Sequence, residues 1–451
     1  MRLSLSAYLL FAGLLARPAL AERPVVRVET VEELYAEVHD PANAGAVIEL
    51  AAGDYVLLGS LSPATGGRLL LQPGMDLIGQ QTYQDVDGDG VWDPIDVNGN
   101  GSIDGNEKDQ FVVAGKTRID ASKLPPTTVA VPDLNSPATT GLATNFFPFN
   151  PAVVEVGRRN RVARLTVSDF STADPAVGNN CIAPPQHRPE LAIDGGWHSE
   201  VVDCVLEGGR RGTLHSNLGK GSEGFVSDLK FSGNIVRFNN GGVFIINFNT
   251  DQADSGIGPA NHALFRNNRF YGNVIGLSAQ AGTYGADNAE NRVASFGNVL
   301  AGNGTSIVLR GGSHAASRSG GNDNRLWFTS HGDTIASSAT GVFVVGADRS
   351  NPAFGRSSGN RVRVELLGTT FAANARDLSV TAAQGLGPVT DPGEDNVVSI
   401  LVRNATSDST SADAFLVVDY TPASAPASNQ VTVVGSSMAF TRTNTLDNPD
   451  D

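Results

Sequence analysis

Residues 360–367 read NRVRVELL, a short strand-like run that begins with Asn-Arg and alternates between polar and apolar side chains. Four similar runs lie in the C-terminal half of the chain, and the five begin 33, 36, 36 and 33 residues apart. The others are NRVASF (291–296), NRLWFT (324–329), NVVSILV (396–402) and NQVTVV (429–434). Fixed-period self-similarity with short strands and Gly/Asn turns is typical of a solenoid.

The lengths of the runs indicate which solenoid this is. Helical repeats would need apolar periodicity of 3.6 over about 10 residues or more, and the sequence has none. Propeller blades would need longer repeats of about 40–45 residues with four strands each. Two or three short strands with turns fit one coil of a parallel β-helix. Asn suits such turns because it tolerates left-handed backbone, and stacked Asn side chains should form amide ladders between coils.

A short helix is predicted near the start of the β-helix. Thr30 and Glu33 form a capping box. The apolar residues that follow share one helical face, and they are Val31, Leu34, Tyr35 and Val38. A strand pair in AVIELAAGDYVLL comes next. The helix would cover the first coil and hide its open sheet edge.

The helix, the strand pair, the turn AAGDY (51–55) and the Gly/Asn-rich coils resemble the pectate-lyase-like superfamily, over about residues 28–440. The resemblance implies an all-β fold, a right-handed parallel β-helix with an N-terminal capping helix. It does not select an activity, because that superfamily includes lyases, hydrolases, epimerases, esterases, adhesins and phage tailspikes. Residues 297–314 resemble late coils of alginate and chondroitin lyases, whose Arg-His-Gly catalytic motif this sequence lacks.

The first 21 residues have the features of a secretory signal peptide. Arg2 precedes an apolar run at 3–15, and Ala-Leu-Ala follows at 19–21. The run is too short to span a bilayer of about 30 Å. We therefore expect an exported protein without a membrane span, with its β-helix domain in residues 22–451.

The formal net charge of −15 argues against nucleic acid or anionic membrane as a partner. Nearly half of it lies in residues 85–109, which hold eight acids and one Lys. A field this local indicates a bound cation.

The acidic stretch QDVDGDGVWDPIDVNGNGSIDGNE (84–107) matches the twelve-residue calcium loop twice. The ligands predicted for the second loop are Asp96, Asn98, Asn100, Ser102 through its carbonyl, Asp104 and Glu107. Those predicted for the first are Asp85, Asp87, Asp89 and Asp93. The loops resemble those of dockerins and thrombospondin type three repeats, because Pro94 argues against a helix between them. Oxygen ligands without His or Cys favour Ca²⁺, so we predict a structural calcium-binding insertion at 84–109; the alternative is a solvated acidic linker.

Cys181 and Cys204 are the only cysteines. In an exported protein, two cysteines can form one disulfide. Residues about one coil apart stack at roughly 4.8 Å, within the range that bridged Cα atoms need. The alternative is two buried free thiols.

The best candidate for catalysis is the segment 195–224, because residues 208–222 lack strand alternation. Removal of the C5 proton of a uronate needs a base and a positive charge on the carboxylate. We predict Lys220 or His215 as the base and Arg211 as the carboxylate ligand. The predicted substrate-binding residues are Trp197, His198, Arg210, Asn217 and Glu223. The alternatives are a surface loop with solvated charges, or hydrolysis by the pair Asp251 and Asp254.

Two functions remain open. The protein is either a monomeric lyase or C5 epimerase acting on an acidic extracellular polysaccharide, or a non-catalytic β-helix for glycan binding, adhesion or surface structure. Clustering of Arg211, His215 and Lys220 in one groove with Trp197 would favour the first function, and their scattering would favour the second.

Overall fold

A computed structural model gives the three-dimensional structure of the chain. It describes residues 23–124, 129–130, 148–149, 152–184, 197–218, 224–248, 258–283, 286–313, 321–350, 357–385, 393–408, 415–418, 428–435 and 441–443. The predicted signal peptide lies outside these residues, and so do Lys220, Glu223, Asp251 and Asp254.

The chain winds as a parallel β-helix in which successive coils add one strand to each of three sheets, as predicted. Within the described residues, sheets 1, 2 and 3 have 12, 10 and 11 strands, and the pairs in them are parallel. The strands of sheet 1 are Val25–Val28, Val47–Leu50, Asp76–Ile78, Arg158–Ala163, His198–Val202, Val226–Ser232, Ala260–Arg266, Glu290–Phe296, Arg325–His331, Arg361–Leu367, Val397–Arg403 and Gln430–Gly435. Those of sheet 2 are Gly53–Val56, Thr117–Asp120, Thr166–Ser168, Val205–Glu207, Ile235–Arg237, Arg269–Tyr271, Val299–Ala301, Thr334–Ala336, Thr370–Ala372 and Thr406–Ser407. Those of sheet 3 are Leu69–Leu70, Ala152–Glu155, Asn180–Ala183, Arg211–Leu218, Gly241–Phe248, Ile275–Thr283, Thr305–Ser313, Thr340–Ser350, Arg376–Gly385, Phe415–Val418 and Thr441–Thr443. Val129–Ala130 and Pro148–Phe149 form a separate antiparallel pair.

The N-terminal capping helix is confirmed as α1, Val31–His39. Thr30 and Glu33 form the expected capping box, and Leu34, Tyr35 and Val38 are buried. The described 3₁₀ helices are Pro41–Asn43, Pro63–Thr65, Gly105–Asp109 and Pro175–Val177. Among the described residues, no helix is long and apolar enough to cross a membrane.

The apolar core runs inside the coils, where alternate residues of each strand point inward. In Arg361–Leu367 the inward side chains are Val362, Val364 and Leu366, and all three belong to the main core. Phenylalanines stack in the middle of the core; Phe231 lies 5.5 Å from Phe265 and 6.2 Å from Phe270 between ring centroids. Each fully buried side chain of this kind contributes about 1.5–3 kcal/mol relative to an exposed one.

Asparagine side chains tie successive coils together at the turns, which confirms the predicted amide ladders. Between sheets 1 and 2, the side-chain oxygen of Asn268 accepts the backbone N–H of Asn234 at 2.9 Å, and that of Asn298 accepts the N–H of Asn268 at 2.9 Å. A ladder of the same design lies between sheets 2 and 3, and another precedes the strands of sheet 1. Their members include Asn239, Asn273 and Asn303 in the former, and Asn324, Asn360, Asn396 and Asn429 in the latter.

The predicted disulfide is wrong for this structure, because Cys181 and Cys204 are both free and buried. Cys181 lies in sheet 3, whereas Cys204 lies in the turn between sheets 1 and 2. Asn180 pairs in register with Arg211, so one coil here is longer than the stretch of chain between the two cysteines. The two thiols therefore lie on different sides of the coil. Burial raises the pKa of Cys204 to about 12 and that of Cys181 well above its usual value.

The Asn ladder should be sensitive to truncation. Asn360 is fully buried, accepts the N–H of Asn324 at 3.1 Å and donates to the side-chain oxygen of Asn396 at 3.0 Å. Asn360→Ala would leave the backbone N–H and the side-chain amide of the buried Asn324 without these hydrogen bonds, at a cost of about 3 kcal/mol. Urea unfolding should show this loss, while Thr432→Ala, an exposed change on sheet 1, should cost less than about 0.5 kcal/mol. Equal stability of the two variants would contradict a stabilising ladder.

Candidate functional site

The segment predicted to carry catalysis is largely a strand. Arg211–Leu218 belongs to sheet 3, so the expectation that this segment leaves the strands is wrong for residues 211–218; residues 219–223 lie outside the described part of the chain. His215 pairs in register with Ile245, a residue of the main core, and is itself only 1 % exposed. Asn217 is also 1 % exposed and accepts a hydrogen bond from the Ser227 hydroxyl at 2.6 Å. Both side chains are therefore part of the interior.

The other predicted groups in this segment do not form one exposed groove with them. Trp197 is 4 % exposed, so a sugar cannot stack on its ring. Arg211 is half-buried with its guanidinium 4.8 Å from the centroid of the Phe244 ring. Arg210 is half-buried at the turn before this strand. Polarity alone had suggested exposure here, but this strand carries polar side chains on its inward face.

Burial lowers the pKa of His215 to about 4, although the charge of Asp228 acts in the opposite direction. The imidazole is therefore neutral at neutral pH, and within the described residues its Nε2 has no hydrogen-bond partner. A neutral histidine enclosed by the core is not placed to take a proton from a ligand at the surface.

The buried histidine should make the protein acid-sensitive. Its pKa is about 4 in the folded chain and about 6.5 in an unfolded one. Since the unfolded chain binds the extra proton, stability should fall as the pH drops from about 6.5 towards 4, by up to about 3 kcal/mol. Urea unfolding of wild type and His215→Gln at several pH values measures this contribution. An identical loss of stability in both proteins over that range would contradict it.

Sheet 1 instead brings three titratable side chains together on its outer face. His198, Asp228 and His262 occupy the same register position on three successive strands. The His198 Nδ1 lies 2.8 Å from one Asp228 carboxylate oxygen, and the His262 Nδ1 lies 3.4 Å from the other. All three side chains are partly exposed, at 38 %, 43 % and 26 %. We call this group the His–Asp–His cluster.

The turn ladder explains why these residues coincide. His198, Asp228 and His262 each stand six residues before a ladder position, namely Cys204, Asn234 and Asn268. The N–H of Cys204 bonds to Asn234, and that of Asn234 to Asn268. Sequence reasoning predicted only His198 as a site residue. Alignment of the looser N-terminal coils on their turn asparagines would also have identified Asp228 and His262.

Asp228 remains an anion in this environment. Partial burial alone would raise its pKa, but hydrogen bonds and charge from His198 and His262 outweigh that effect and hold the pKa well below its usual range. The His198 Nδ1 donates to this carboxylate, which fixes the tautomer and makes Nε2 the nitrogen able to accept a proton. This carboxylate–imidazole pairing is the arrangement that orients a general base.

The register line of the His–Asp–His cluster continues along the outer face of sheet 1 with cationic and aromatic side chains. Arg292 follows His262 in register, and Trp327 and then Arg363 follow Arg292. The Arg292 guanidinium lies 4.8 Å from the centroid of the Trp327 ring and also bonds to Glu290. Arg292 therefore stands one strand beyond His262, with its guanidinium directed over Trp327 and paired with Glu290.

The acidic insertion folds into two loops with the same internal hydrogen bonding. Both Asp85 oxygens accept loop N–H groups, from Gly88 at 2.8 Å and Gly90 at 3.0 Å. Asp96 makes the corresponding bonds eleven residues later, to Gly99 at 2.7 Å and Gly101 at 2.6 Å. Gly90 and Gly101 both have positive φ in the left-handed region, which a side chain would disfavour.

The donor set of the insertion fits a hard cation. One carboxylate oxygen from each of Asp85, Asp87 and Asp89 lies within 4.8 Å of the others. Burial raises the pKa of Asp89, and the charges of Asp87 and Asp93 raise it further. Glu107 reaches back across the second loop, 5 % exposed, with one oxygen 2.9 Å from the Asn98 nitrogen. The other predicted ligands, Ser102 and Asp104, lie in the same exposed loop.

The insertion packs against the outer face of sheet 2. Trp92 stacks on Tyr83 at 5.4 Å, and both contact an apolar cluster of Phe111, Val205 and Ile235. Polar contacts also join it to later coils: Arg269 bonds to the Trp92 carbonyl at 3.1 Å, and Arg237 to the Asp109 carbonyl at 2.6 Å. The insertion therefore spans three successive coils on a sheet different from that of the His–Asp–His cluster.

No family model and no curated protein matches the chain. Among solved structures, the A-module of mannuronan C-5 epimerase AlgE4 of Azotobacter vinelandii is similar, with 12% identity, coverage of 94% of this chain and 98% of that chain, and a TM-score of 0.34. The AlgE6 A-module of the same organism is similar with 13% identity, coverage of 84% of this chain and 95% of that chain, and a TM-score of 0.26. The complex of XylC with xylose is similar with 12% identity, coverage of 87% of this chain and 65% of that chain, and a TM-score of 0.28. Values this low carry no argument about function, which has to come from the residues of this chain.

Proposed function

We propose that the protein is an exported enzyme that removes the C5 proton of a uronate unit in an acidic polysaccharide, as a lyase or C5 epimerase. The supporting observation is the His–Asp–His cluster on an exposed sheet face, with Arg292 next in register. This site replaces the predicted one around His215, which is buried. A non-catalytic glycan-binding β-helix is the competing function, and the burial of His215 and Trp197, which removes the predicted groove, favours it.

The cluster provides the groups that this chemistry needs. Asp228 orients His198, whose Nε2 accepts the C5 proton. Arg292, by exchanging its contact with Glu290 for the ligand, neutralises the uronate carboxylate and stabilises the negative charge that develops as the proton leaves. His262, on the other side of Asp228, is placed to return a proton to the sugar ring or to the leaving oxygen. Elimination and epimerisation share the first step and differ in where that second proton goes.

Substitution of the cluster should abolish turnover without unfolding the protein. His198→Gln should lower kcat on a polyuronate by about 10²–10⁴-fold, the range for a general base. Asp228→Asn should lower it and shift the pH profile, because the imidazole loses its charged partner. Unsaturated product measured by ultraviolet absorbance reports elimination, and deuterium incorporation at C5 in heavy water reports proton exchange.

His331→Gln is the matched control, because His331 also lies on the outer side of sheet 1 but stacks on Phe296, outside the cluster. Its activity should equal that of wild type. Full activity in His198→Gln would exclude the proposed base. Retained polyuronate binding with no turnover by wild type on any uronate polymer would favour the non-catalytic function.

We also propose that the insertion binds two Ca²⁺ ions and has a structural role. The oxygen donors and the turn geometry support this, and the contacts with sheet 2 give a bound ion a means of stabilising three coils. Binding to the folded state alone would stabilise it by about 2.7 kcal/mol at 100 times Kd.

Calorimetry after chelation should show two ions bound per chain. Asp85→Asn and Glu107→Gln should each weaken one of them by at least about tenfold, because each removes a charged ligand. Chelation should shift tryptophan fluorescence to the red as Trp92 loses its packing, and Trp92→Phe should remove that shift.

Glu32→Gln, an exposed change on α1 that removes the same single charge, is the control and should leave binding unchanged. Absence of calcium binding by wild type would refute the calcium proposal and leave the proposed chemistry untouched.

A further inference from the structure

The outer face of sheet 1 also contains a basic groove, further along the coils than the His–Asp–His cluster. It has a volume of about 350 Å³. The side chains that line it come from three successive strands and include Arg325, Trp327, Arg361, Arg363, Val397 and Ser399. We call it the arginine groove. Trp327 is three strands beyond Asp228, roughly 14 Å at the spacing of paired strands.

Two of its arginines lie side by side. Arg325 and Arg361 are direct register partners on adjacent strands, and both are exposed. Like charges in this arrangement repel each other. Among the described residues neither forms an ion pair. Glu290, the register neighbour of Arg325 on the preceding strand, is paired with Arg292, and Arg363 bonds to Glu365 at 2.6 Å. Two adjacent guanidinium groups that form no ion pair with the described residues, in a chain of net charge −15, are suited to an external anion.

The groove also has a flat apolar surface. Trp327 carries Arg292 over one face of its ring, and Arg292 belongs to the preceding strand. The indole itself lines the groove, together with residues from its own and the two following strands. A sugar ring can lie against such a face while the arginines bind its carboxylate with paired N–H donors. Val397 and Ser399 extend the groove by one more strand.

We propose that the arginine groove is a binding subsite for a carboxylated polysaccharide, which extends along sheet 1 from the His–Asp–His cluster. The inference rests on the proposed function for the substrate class, but the charge and shape of the groove support it separately. The groove provides affinity and selectivity for uronate units, and the cluster provides the chemistry. The register shared by Asp228, Arg292, Trp327 and Arg363 puts both on one straight path.

Calorimetry with an oligogalacturonate tests this proposal, with the carboxyl-reduced oligosaccharide as the neutral comparison. Wild type should bind the acidic form, and less tightly as salt increases, because ion pairs at the surface are screened. Arg325→Ala with Arg361→Ala should lower affinity by about tenfold or more. Trp327→Ala should lower affinity for the same ligand.

Arg27→Ala is the matched control, because Arg27 is an exposed arginine at the far end of the same sheet. It should leave affinity unchanged. Equal binding of the acidic and neutral oligosaccharides, or wild-type affinity in the Arg325/Arg361 double variant, would overturn the proposal. Tighter binding of dextran sulfate, which has no carboxylate, or of a single-stranded oligothymidylate than of the oligogalacturonate would overturn the choice of a carboxylated ligand.

The outcome separates the two proposals. If the groove variants lose binding while wild type shows no turnover, the subsite stands and the proposed enzymatic function fails. If His198→Gln abolishes turnover while the groove variants bind and react as wild type does, the function stands and the subsite fails. Thermal unfolding of each variant confirms that the fold is retained.

Discussion

The buried Asn ladders are the constraint on which the rest of this structure depends. Parallel strands about 4.8 Å apart can slip in register, and a slip of one residue would turn every inward side chain outward. An Asn at the turn prevents this, because its oxygen accepts a backbone N–H of the preceding coil and its amide donates within the same network. The fixed turn makes the position six residues earlier equivalent in every coil.

That equivalence connects folding to the candidate site. The ladder aligns side chains that are far apart in sequence, namely His198, Asp228, His262, Arg292 and Trp327. The contacts that align them are the structural ones at the turns, not contacts between these side chains. The ladder changes composition along the chain, since Asp333 takes the position of Asn. Any residue that can accept the N–H therefore maintains the line, while the outer side chains vary independently.

Much of the fold was predictable. The repeat period predicts the parallel β-helix and the Asn ladders, and the capping box with its apolar helical face predicts α1. The chemical site was not, for two physical reasons. Polarity suggested exposure for His215 and Asn217, but their strand turns both side chains into the interior. Asn217 accepts a hydrogen bond from Ser227 there, whereas the His215 Nε2 has no partner among the described residues. The separation of Cys181 and Cys204 looked like one coil, but a true coil in that region is longer, as the pairing of Asn180 with Arg211 shows.

The acidic insertion and the line of charged side chains from His198 to Arg363 lie on different sheets of the β-helix. The insertion lies on sheet 2 and concentrates negative charge, whereas the line from His198 to Arg363 lies on sheet 1. Asp228 has two imidazole partners within the protein, His198 and His262, but Arg325 and Arg361 lie side by side and form no ion pair with the described residues. A cation in the insertion would thus act on the stability of the coils, and an anion on sheet 1 would act at the site. Because the ladders fix the register of the coils, a cation in the insertion would support anion binding on sheet 1 only by keeping the side chains of that line aligned.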